Sequence, residues 1–324
     1  MSYHPFVGLK PMVTKICKAC NVCRSLKKHA SKKYGKLPPK QPELIPWHAL
    51  CVDLMGSYTF GKPKKVKNKE GKYELDYSEC IELQCLTMID PATGWFEIVD
   101  ISHERADYVA NALEHAWLTR YPWPTEVVMD RGKEFAAEVR DTLRRDYGVI
   151  RKLITTRNPQ ANAMVERIHQ VIHNMIRTLE IRDSDDLSPD FGWQGILAAI
   201  RQAVRSTVHT TTRATPTQLV FGRDAILNVS FEANWQYIKD RKQHRILQNN
   251  VRENRTRLVH QYSVGDRVMV TQDPQRKHGS PRQKGPYTVT RVNDNGTLRL
   301  SKATANGGAV IQTWNVRNVD PCRD

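Results

Sequence analysis

Strand-like and helix-like segments alternate between Trp47 and about Ile181, and this alternation limits the possible folds more than any other feature. Strands are predicted over residues 48–55, 81–89, 95–101, 126–129 and 149–154. A helical pattern covers about 105–118. Alternation of this kind is typical of α/β domains, in which helices cover a mixed or parallel sheet. We therefore predict an α/β core built on one central sheet.

The rest of the chain differs from this core in composition, and we predict four parts. Residues 1–45 are Lys-rich and end in a proline-rich linker, 46–182 form the core, 183–262 form a helical connector, and 263–324 carry short strands between turn signals. The last part is predicted to be a small antiparallel β-barrel. The basic insertion 61–71, between the first two core strands, is predicted to be a hairpin tip, either solvated or in contact with DNA.

The charge of the chain indicates a polyanionic partner. Its 50 Lys and Arg residues against 34 Asp and Glu leave a formal charge of +16, which favours nucleic acid over a small neutral ligand. Basic residues are frequent from Lys239 to Lys284, as expected of a surface that follows a DNA backbone. No apolar run approaches the roughly 20 residues of a membrane helix, so we expect no membrane partner.

Three carboxylates are candidate metal ligands. Asp53 lies near the end of an apolar run, Asp130 directly follows another, and a carboxylate there costs free energy unless a cation compensates it. Glu166 lies on a predicted helix and off its apolar face, which consists of Val165, Ile168, Ile172, Met175, Ile176 and Leu179. Oxygen ligands suit Mg²⁺ or Mn²⁺, and three carboxylates holding two ions suit in-line displacement at a phosphodiester. Taken singly, each acid is more often a surface residue or a salt-bridge partner.

Other polar residues have simpler interpretations. Asp90 is predicted to cap the turn before Pro91. His169 and His173, four residues apart on the Glu166 helix, are interpreted as a solvated face next to DNA rather than as metal ligands.

The three acids and their surroundings resemble a known family. Asp53, Asp130 and Glu166, with 35 residues between the last two, are similar to the D,D-35-E triad of retroviral and LTR-retrotransposon integrases. Four further segments resemble motifs of this family in the same order, the last two being those of gypsy-type elements with their "GPY/F" module: 47–53, 121–135, 215–223, and 264–268 with 285–287. The sequence departs from the family at Ala163 and Met164, where members often carry Gly and Gln.

The resemblance implies a ribonuclease-H-like catalytic core, a helical connector and a small C-terminal β-barrel. In such an enzyme Asp53 would bridge two Mg²⁺ or Mn²⁺ ions, and Asp130 and Glu166 would each complete one. The reaction would trim the ends of element DNA and join their 3′-hydroxyls to target DNA. A dimer or tetramer acting in the nucleus, after a cytoplasmic particle stage, is expected. Further DNA contacts would come from Gln160, Asn162 and Arg167.

Cys20 and Cys23 have the spacing of half a zinc site and resemble the second half of the zinc-binding domain that precedes integrase cores. The histidine pair of that domain is absent, and the chain resembles an amino-terminally truncated relative. Cys17 and His29 could complete a Zn²⁺ site, or the segment is a basic remnant without metal.

Two other functions remain open from the sequence. One is a transposase or nuclease with the same catalytic core, against which the C-terminal motifs argue. The other is a domesticated or decayed integrase that binds DNA without catalysis. The intact triad argues against decay.

Overall fold

The computed structural model describes residues 8–19, 33–39, 41–60, 64–67, 72–76, 81–101, 105–130, 137–153, 163–178, 192–271, 283–303 and 308–322. Contacts divide the chain into two compact units. The core unit comprises residues 41–246, and the terminal unit comprises residues 1–40 together with 247–324. The chain thus divides at other points than the boundaries drawn from composition.

The core unit contains a five-stranded mixed sheet, as predicted. Its strands are β1 Ala49–Phe60, β4 Ile81–Ile89, β5 Phe96–Asp100, β6 Glu126–Met129 and β7 Ile150–Leu153. Their spatial order is β5-β4-β1-β6-β7. β4 is antiparallel to both β1 and β5, whereas β1, β6 and β7 run parallel to one another. The predicted ends of β4 and β6 are confirmed. The ends of β5 and β7 lie within one residue of the predicted ones, whereas β1 continues to Phe60, beyond its predicted end at residue 55.

Helices cover both faces of this sheet because β1 is apolar on both sides. Leu50 and Val52 join one buried cluster, which includes residues of α2 Ala106–Leu113, the π-helical turn Glu114–Leu118 and α3 Ala137–Asp141 with its π-helical continuation Thr142–Asp146. Cys51 and Met55 join the other, which includes residues of α4 Ala163–Thr178 and α5 Gly192–Ser206. The helix predicted over 105–118 is therefore confirmed, although its second half is wound as a π-helix.

The flanks of the basic insertion form a separate two-stranded sheet. β2 Lys64–Lys67 pairs antiparallel with β3 Tyr73–Asp76. The prediction takes all of 61–71 as a hairpin tip, whereas Lys64–Lys67 within it is a strand; residues 61–63 and 68–71 lie outside the described residues.

The connector is helical, as predicted. After α5 come α6 Pro216–Phe221 and α7 Trp235–Asn254. α6 begins at a capping box, in which the Thr215 side chain accepts from the Gln218 amide and the Gln218 side chain accepts from the Thr215 amide. It ends at Gly222, whose φ of 64° is the left-handed conformation that glycine adopts at low cost.

Lys242 of α7 corrects the interpretation of the basic stretch as a DNA-facing surface. Its side chain is buried, and Nζ donates to the carbonyl oxygens of Glu43, Pro91 and Ala92 at 3.1, 3.1 and 2.7 Å. Burial lowers the pKa of Lys242 to about 8. Lys242 therefore links α7 to residues 43 and 91–92 by hydrogen bonds, and its buried amino group does not belong to a DNA-facing surface.

The terminal unit contains the predicted β-module as a five-stranded antiparallel sheet. Its strands are β8 Arg267–Thr271, β9 Gln283–Asn293, β10 Thr297–Ala303, β11 Ala309–Asn315 and β12 Val319–Pro321. Their order is β11-β10-β9-β8-β12. A short 3₁₀ helix, Val316–Asn318, separates the last two strands, and the helix α1 Leu9–Ala19 belongs to the same unit by contacts.

Residues 33–39, assigned from the sequence to an N-terminal linker, pack onto this β-module. The buried guanidinium of Arg257 donates to the carbonyl oxygens of Gly35 and Tyr34, both at 2.6 Å, and of Val316 at 3.1 Å. Gly35 lies so close to Val316 that a Cβ there would approach a Val316 methyl to 2.7 Å. Arg257 is thus a second basic residue of the Lys239–Lys284 stretch that is structural.

Candidate active site

Asp53 and Asp130 occupy neighbouring positions in the core sheet. The parallel register pairs Ala49 with Glu126 and Cys51 with Val128. Continued by two residues, the same register places Asp53 opposite Asp130. Neighbouring strands lie about 4.8 Å apart, so these two carboxylates start from adjacent backbone positions. Asp53 is half-buried and Asp130 is exposed.

Both aspartates belong to the face of the sheet that α4 covers. Side chains alternate along a strand, so Asp53 shares the face of Cys51, and Asp130 shares that of Val128. Cys51 and Val128 both pack in the cluster that contains Val165 of α4. Glu166 follows Val165 in the first turn of α4 and is exposed. The extended register thus puts the backbones of Asp53 and Asp130 at adjacent positions, and Glu166 lies on the helix that packs against the same face of the sheet.

A hydrogen-bonded chain connects this helix to the strand of Asp53. Thr87 of β4 lies directly opposite Asp53 in the antiparallel register and is fully buried. Its Oγ1 donates to the Asp53 carbonyl oxygen at 2.9 Å and lies 2.7 Å from Nε2 of His169. His169 is three residues beyond Glu166 on α4, so the contact lies one turn from the third acid.

The donor set fits a hard divalent cation. All three predicted ligands are carboxylates, and Mg²⁺ is usually held by one or two carboxylates together with substrate phosphates. Within the described ranges, however, no three His, Cys, Asp or Glu side chains lie close enough together to hold one ion.

The remaining predicted site residues divide into three groups. Arg167 is exposed on α4 beside Glu166, where it can reach a phosphate. Asp90 is confirmed as a turn cap: its carboxylate accepts from the Ala92 amide at 3.0 Å, and from the amide and hydroxyl of Thr93 at 3.3 and 2.6 Å. Burial nevertheless raises the pKa of Asp90. Outside the described residues lie Gln160, Asn162, Cys20, Cys23 and His29.

The prediction of a solvated face at His169 and His173 is wrong. His169 is hydrogen-bonded to Thr87, and the His173 ring packs 5.7 Å from the Tyr58 ring. Both histidines are only partly exposed. The helical wheel placed them off the main apolar stripe, but α4 lies on the sheet along a wider face than that stripe.

Thr87 is a site residue that sequence reasoning missed. The one available signal was a single hydroxyl within the apolar run Leu86–Ile89. Only the register between β1 and β4 reveals that this hydroxyl lies opposite Asp53.

The stability of the core unit should depend on pH through His169. Burial lowers its pKa from 6.5 to about 4, so the folded protein keeps this imidazole neutral where the unfolded chain takes up a proton. The free energy of unfolding should therefore fall by on the order of 2 kcal/mol as pH drops from about 6.5 to about 4, and His169 should contribute no slope above that window. Urea denaturation of the wild type and of His169→Phe across this range measures it. Equal slopes for the two proteins would contradict the prediction.

No helix in the described part of the chain has both the length and the apolarity to cross a membrane.

Comparison with known proteins gives retroviral relatives. No protein-family model matches the chain. It is 27% identical to the Gag-Pol polyprotein of baboon endogenous virus (strain M7) over 251 residues, which cover 68% of this chain and 14% of that polyprotein. It is 25% identical to the Pol polyprotein of radiation murine leukemia virus (strain Kaplan) over 221 residues, covering 63% of this chain and 37% of the relative. The chain thus spans less than two fifths of these relatives.

The fold is also that of a retroviral protein. The chain aligns with a chain of the simian T-cell lymphotropic virus intasome in complex with PP2A regulatory subunit B56 gamma, with a TM-score of 0.56 and 15% identity. The alignment covers 97% of this chain and 91% of that one. The chain is therefore similar in sequence to retroviral Pol polyproteins and in fold to a chain of a retroviral intasome, in agreement with the resemblance that the motifs indicate.

Proposed function

We propose that the chain is the integrase of a gypsy-type retroelement, a metal-dependent polynucleotidyl transferase that trims element DNA ends and joins their 3′-hydroxyls to target DNA. The observation that carries this proposal is the placement of Asp53 beside Asp130 under the helix that presents Glu166. In this proposal the three acids, which come from distant parts of the chain, would be drawn together by bound metal.

Each acid has a distinct role in this proposal. Asp53 is half-buried, and as the resemblance to integrases implies, it would contact both ions. Asp130 and Glu166 are exposed, and each would complete one ion from its own side. Two bound Mg²⁺ or Mn²⁺ ions would stabilise the attacking and the leaving oxygen of an in-line displacement. Holding the ligands on a strand, a strand end and a helix fixes these positions better than loops would.

DNA binding is proposed from charge. The formal charge of +16 and the exposed Arg167 beside Glu166 favour contacts with phosphates. We also propose that the enzyme works as a dimer or tetramer that holds element ends and target DNA, and that it acts in the nucleus. Zinc binding by Cys20 and Cys23 stays a prediction, and a zinc measurement on the purified protein decides it.

One observation favours a second candidate, a decayed integrase that binds DNA without catalysis. Among the described residues the acids do not form a closed metal-binding group. If the three carboxylates cannot come together around metal, the chain would bind DNA through its basic residues but would not cleave or join it.

Incubation of the full chain with Mn²⁺ and an end-labelled DNA duplex separates the two candidates. We expect nicked or strand-transfer products that require Mn²⁺ and are absent in chelator. DNA binding in a gel-shift assay without any cleavage would contradict the proposed function and support the second candidate.

A further inference from the structure

The contact between Thr87 and His169 has a defined direction. A hydroxyl carries one proton, and a backbone carbonyl can only accept. Since Thr87 Oγ1 donates to the Asp53 carbonyl oxygen, it must accept from His169. Nε2 of His169 therefore carries the proton in this arrangement. The chain runs from the helix, through the Thr87 hydroxyl, to the backbone of Asp53.

The contact between Thr87 and His169 also fixes the rotation and the position of α4 on the sheet, which apolar packing alone does not fix. Val165, Ile172 and Ile176 hold α4 on the sheet, but burial of apolar surface has no direction and permits small rotations and shifts of a helix. A hydrogen bond at 2.7 Å does not permit them. One helical turn, a rise of about 4.5 Å over three residues, separates His169 from Glu166. The bond therefore sets the position of the turn that bears Glu166 against the residue that bears the Asp53 carboxylate.

We infer that Thr87 and His169 are positioning residues, which hold Glu166 at the correct place relative to Asp53 for the two to share metal. This inference rests on the proposed function and adds two residues to that site. Neither side chain is a metal ligand in it. The fully buried Thr87 hydroxyl contacts the backbone carbonyl of Asp53 rather than its carboxylate, and the partly buried His169 acts through Thr87.

Two variants remove the contact while keeping the packing. Thr87→Val replaces the hydroxyl by a methyl group of similar size, and His169→Phe keeps a ring in the same space without its N–H. Hydrogen-bonded partners of metal ligands typically matter by about 10- to 100-fold in metal affinity or activity. We expect each variant to raise the Mn²⁺ Kd of the full chain by about tenfold, and to lower kcat for nicking while KM for DNA is unchanged.

Two control variants keep the hydrogen bond between residue 87 and His169. Thr87→Ser keeps the hydroxyl and should keep the wild-type Mn²⁺ Kd. His173→Ala changes the next turn of α4, which packs on Tyr58, and should also leave the Kd unchanged. In metal-free protein, the amides of the second turn of α4, residues 167–170, which donate within the helix, should exchange hydrogen faster in Thr87→Val than in Thr87→Ser, which reports on the packing of the helix without metal or activity.

Calorimetric titration with Mn²⁺ tests the inference, and thermal melting shows which variants are folded. If Thr87→Val does not fold, His169→Phe carries the test, because a phenyl ring in that space satisfies the packing. If the wild type binds Mn²⁺ and nicks DNA but folded Thr87→Val and His169→Phe match it in Kd and kcat, the positioning role is wrong and the proposed function stands. If the wild type neither binds Mn²⁺ nor nicks, the proposed function fails and this inference fails with it.

Discussion

Asp130→Asn should abolish Mn²⁺-dependent nicking and strand transfer, with a loss of at least about a hundredfold. Partners that merely hydrogen-bond to metal ligands are worth about 10- to 100-fold, and Asp130 is proposed to be a ligand itself. Asparagine keeps the size of the side chain and removes its charge. Because Asp130 is exposed at the end of β6, the fold should tolerate the change. Rates of product formation from labelled DNA measure the effect.

Asp107→Asn is the matched control for this substitution. Asp107 is another aspartate of the core unit, with its side chain 45% exposed, and it pairs with the exposed Arg105 at 3.0 Å at the start of α2. An exposed ion pair contributes little to stability, so activity and folding should both remain at wild-type levels. DNA binding by Asp130→Asn should also persist, since basic residues supply it. Wild-type nicking by Asp130→Asn would remove this residue from the site.

Glu97→Gln should destabilise the core unit by about 3–5 kcal/mol, the typical cost of removing one partner from a buried ion pair. The Glu97 carboxylate is fully buried in β5. It accepts from the Tyr121 hydroxyl and pairs with Arg205, and the guanidinium groups of Arg120 and Arg201 each lie 3.6 Å from it. With the negative charge gone, the largely buried Arg205 and Arg201 would lose their carboxylate partner, whereas solvent would still screen the half-exposed Arg120.

Glu126→Gln provides the comparison for Glu97→Gln. Glu126 of β6 pairs with Lys152 of β7 at 2.9 Å, but the Lys152 side chain is 61% exposed. Solvent screens such a pair, so its loss should cost less than about 1 kcal/mol. Urea denaturation of both variants gives the two free energies of unfolding. Equal and small losses in the free energy of unfolding of the two variants would show that the stability of the core unit does not depend on the buried charge of Glu97.

Periodicity predicted most of the core elements because those segments alternate or repeat strongly. The run that became β4 alternates apolar and polar residues over 81–85, the run that became β6 is short and mainly apolar, and the ends of both agree with the prediction. The apolar face of α4 was also identified, since Val165, Ile172 and Ile176 are buried. Local sequence carries this information because it depends on which side chains must leave water.

Contacts between distant segments could not be predicted in the same way. The register that places Thr87 opposite Asp53 depends on how two strands align, which neither strand encodes alone. Lys242 and Arg257 resemble DNA-binding residues in the sequence, yet both are buried because nearby carbonyl oxygens accept all their hydrogen bonds. Composition also assigned residues 33–39 to a linker, since nothing local reveals their contact with the β-module.

The most direct test of the convergence of Asp53, Asp130 and Glu166 on shared metal is a crystal structure of the full chain with Mn²⁺ and a DNA end, with the ions located by anomalous scattering. Two ions about 4 Å apart should appear between the three carboxylates, each about 2.1 Å from its carboxylate oxygens. Saturating Mn²⁺ with no ion bound at these acids would contradict the account.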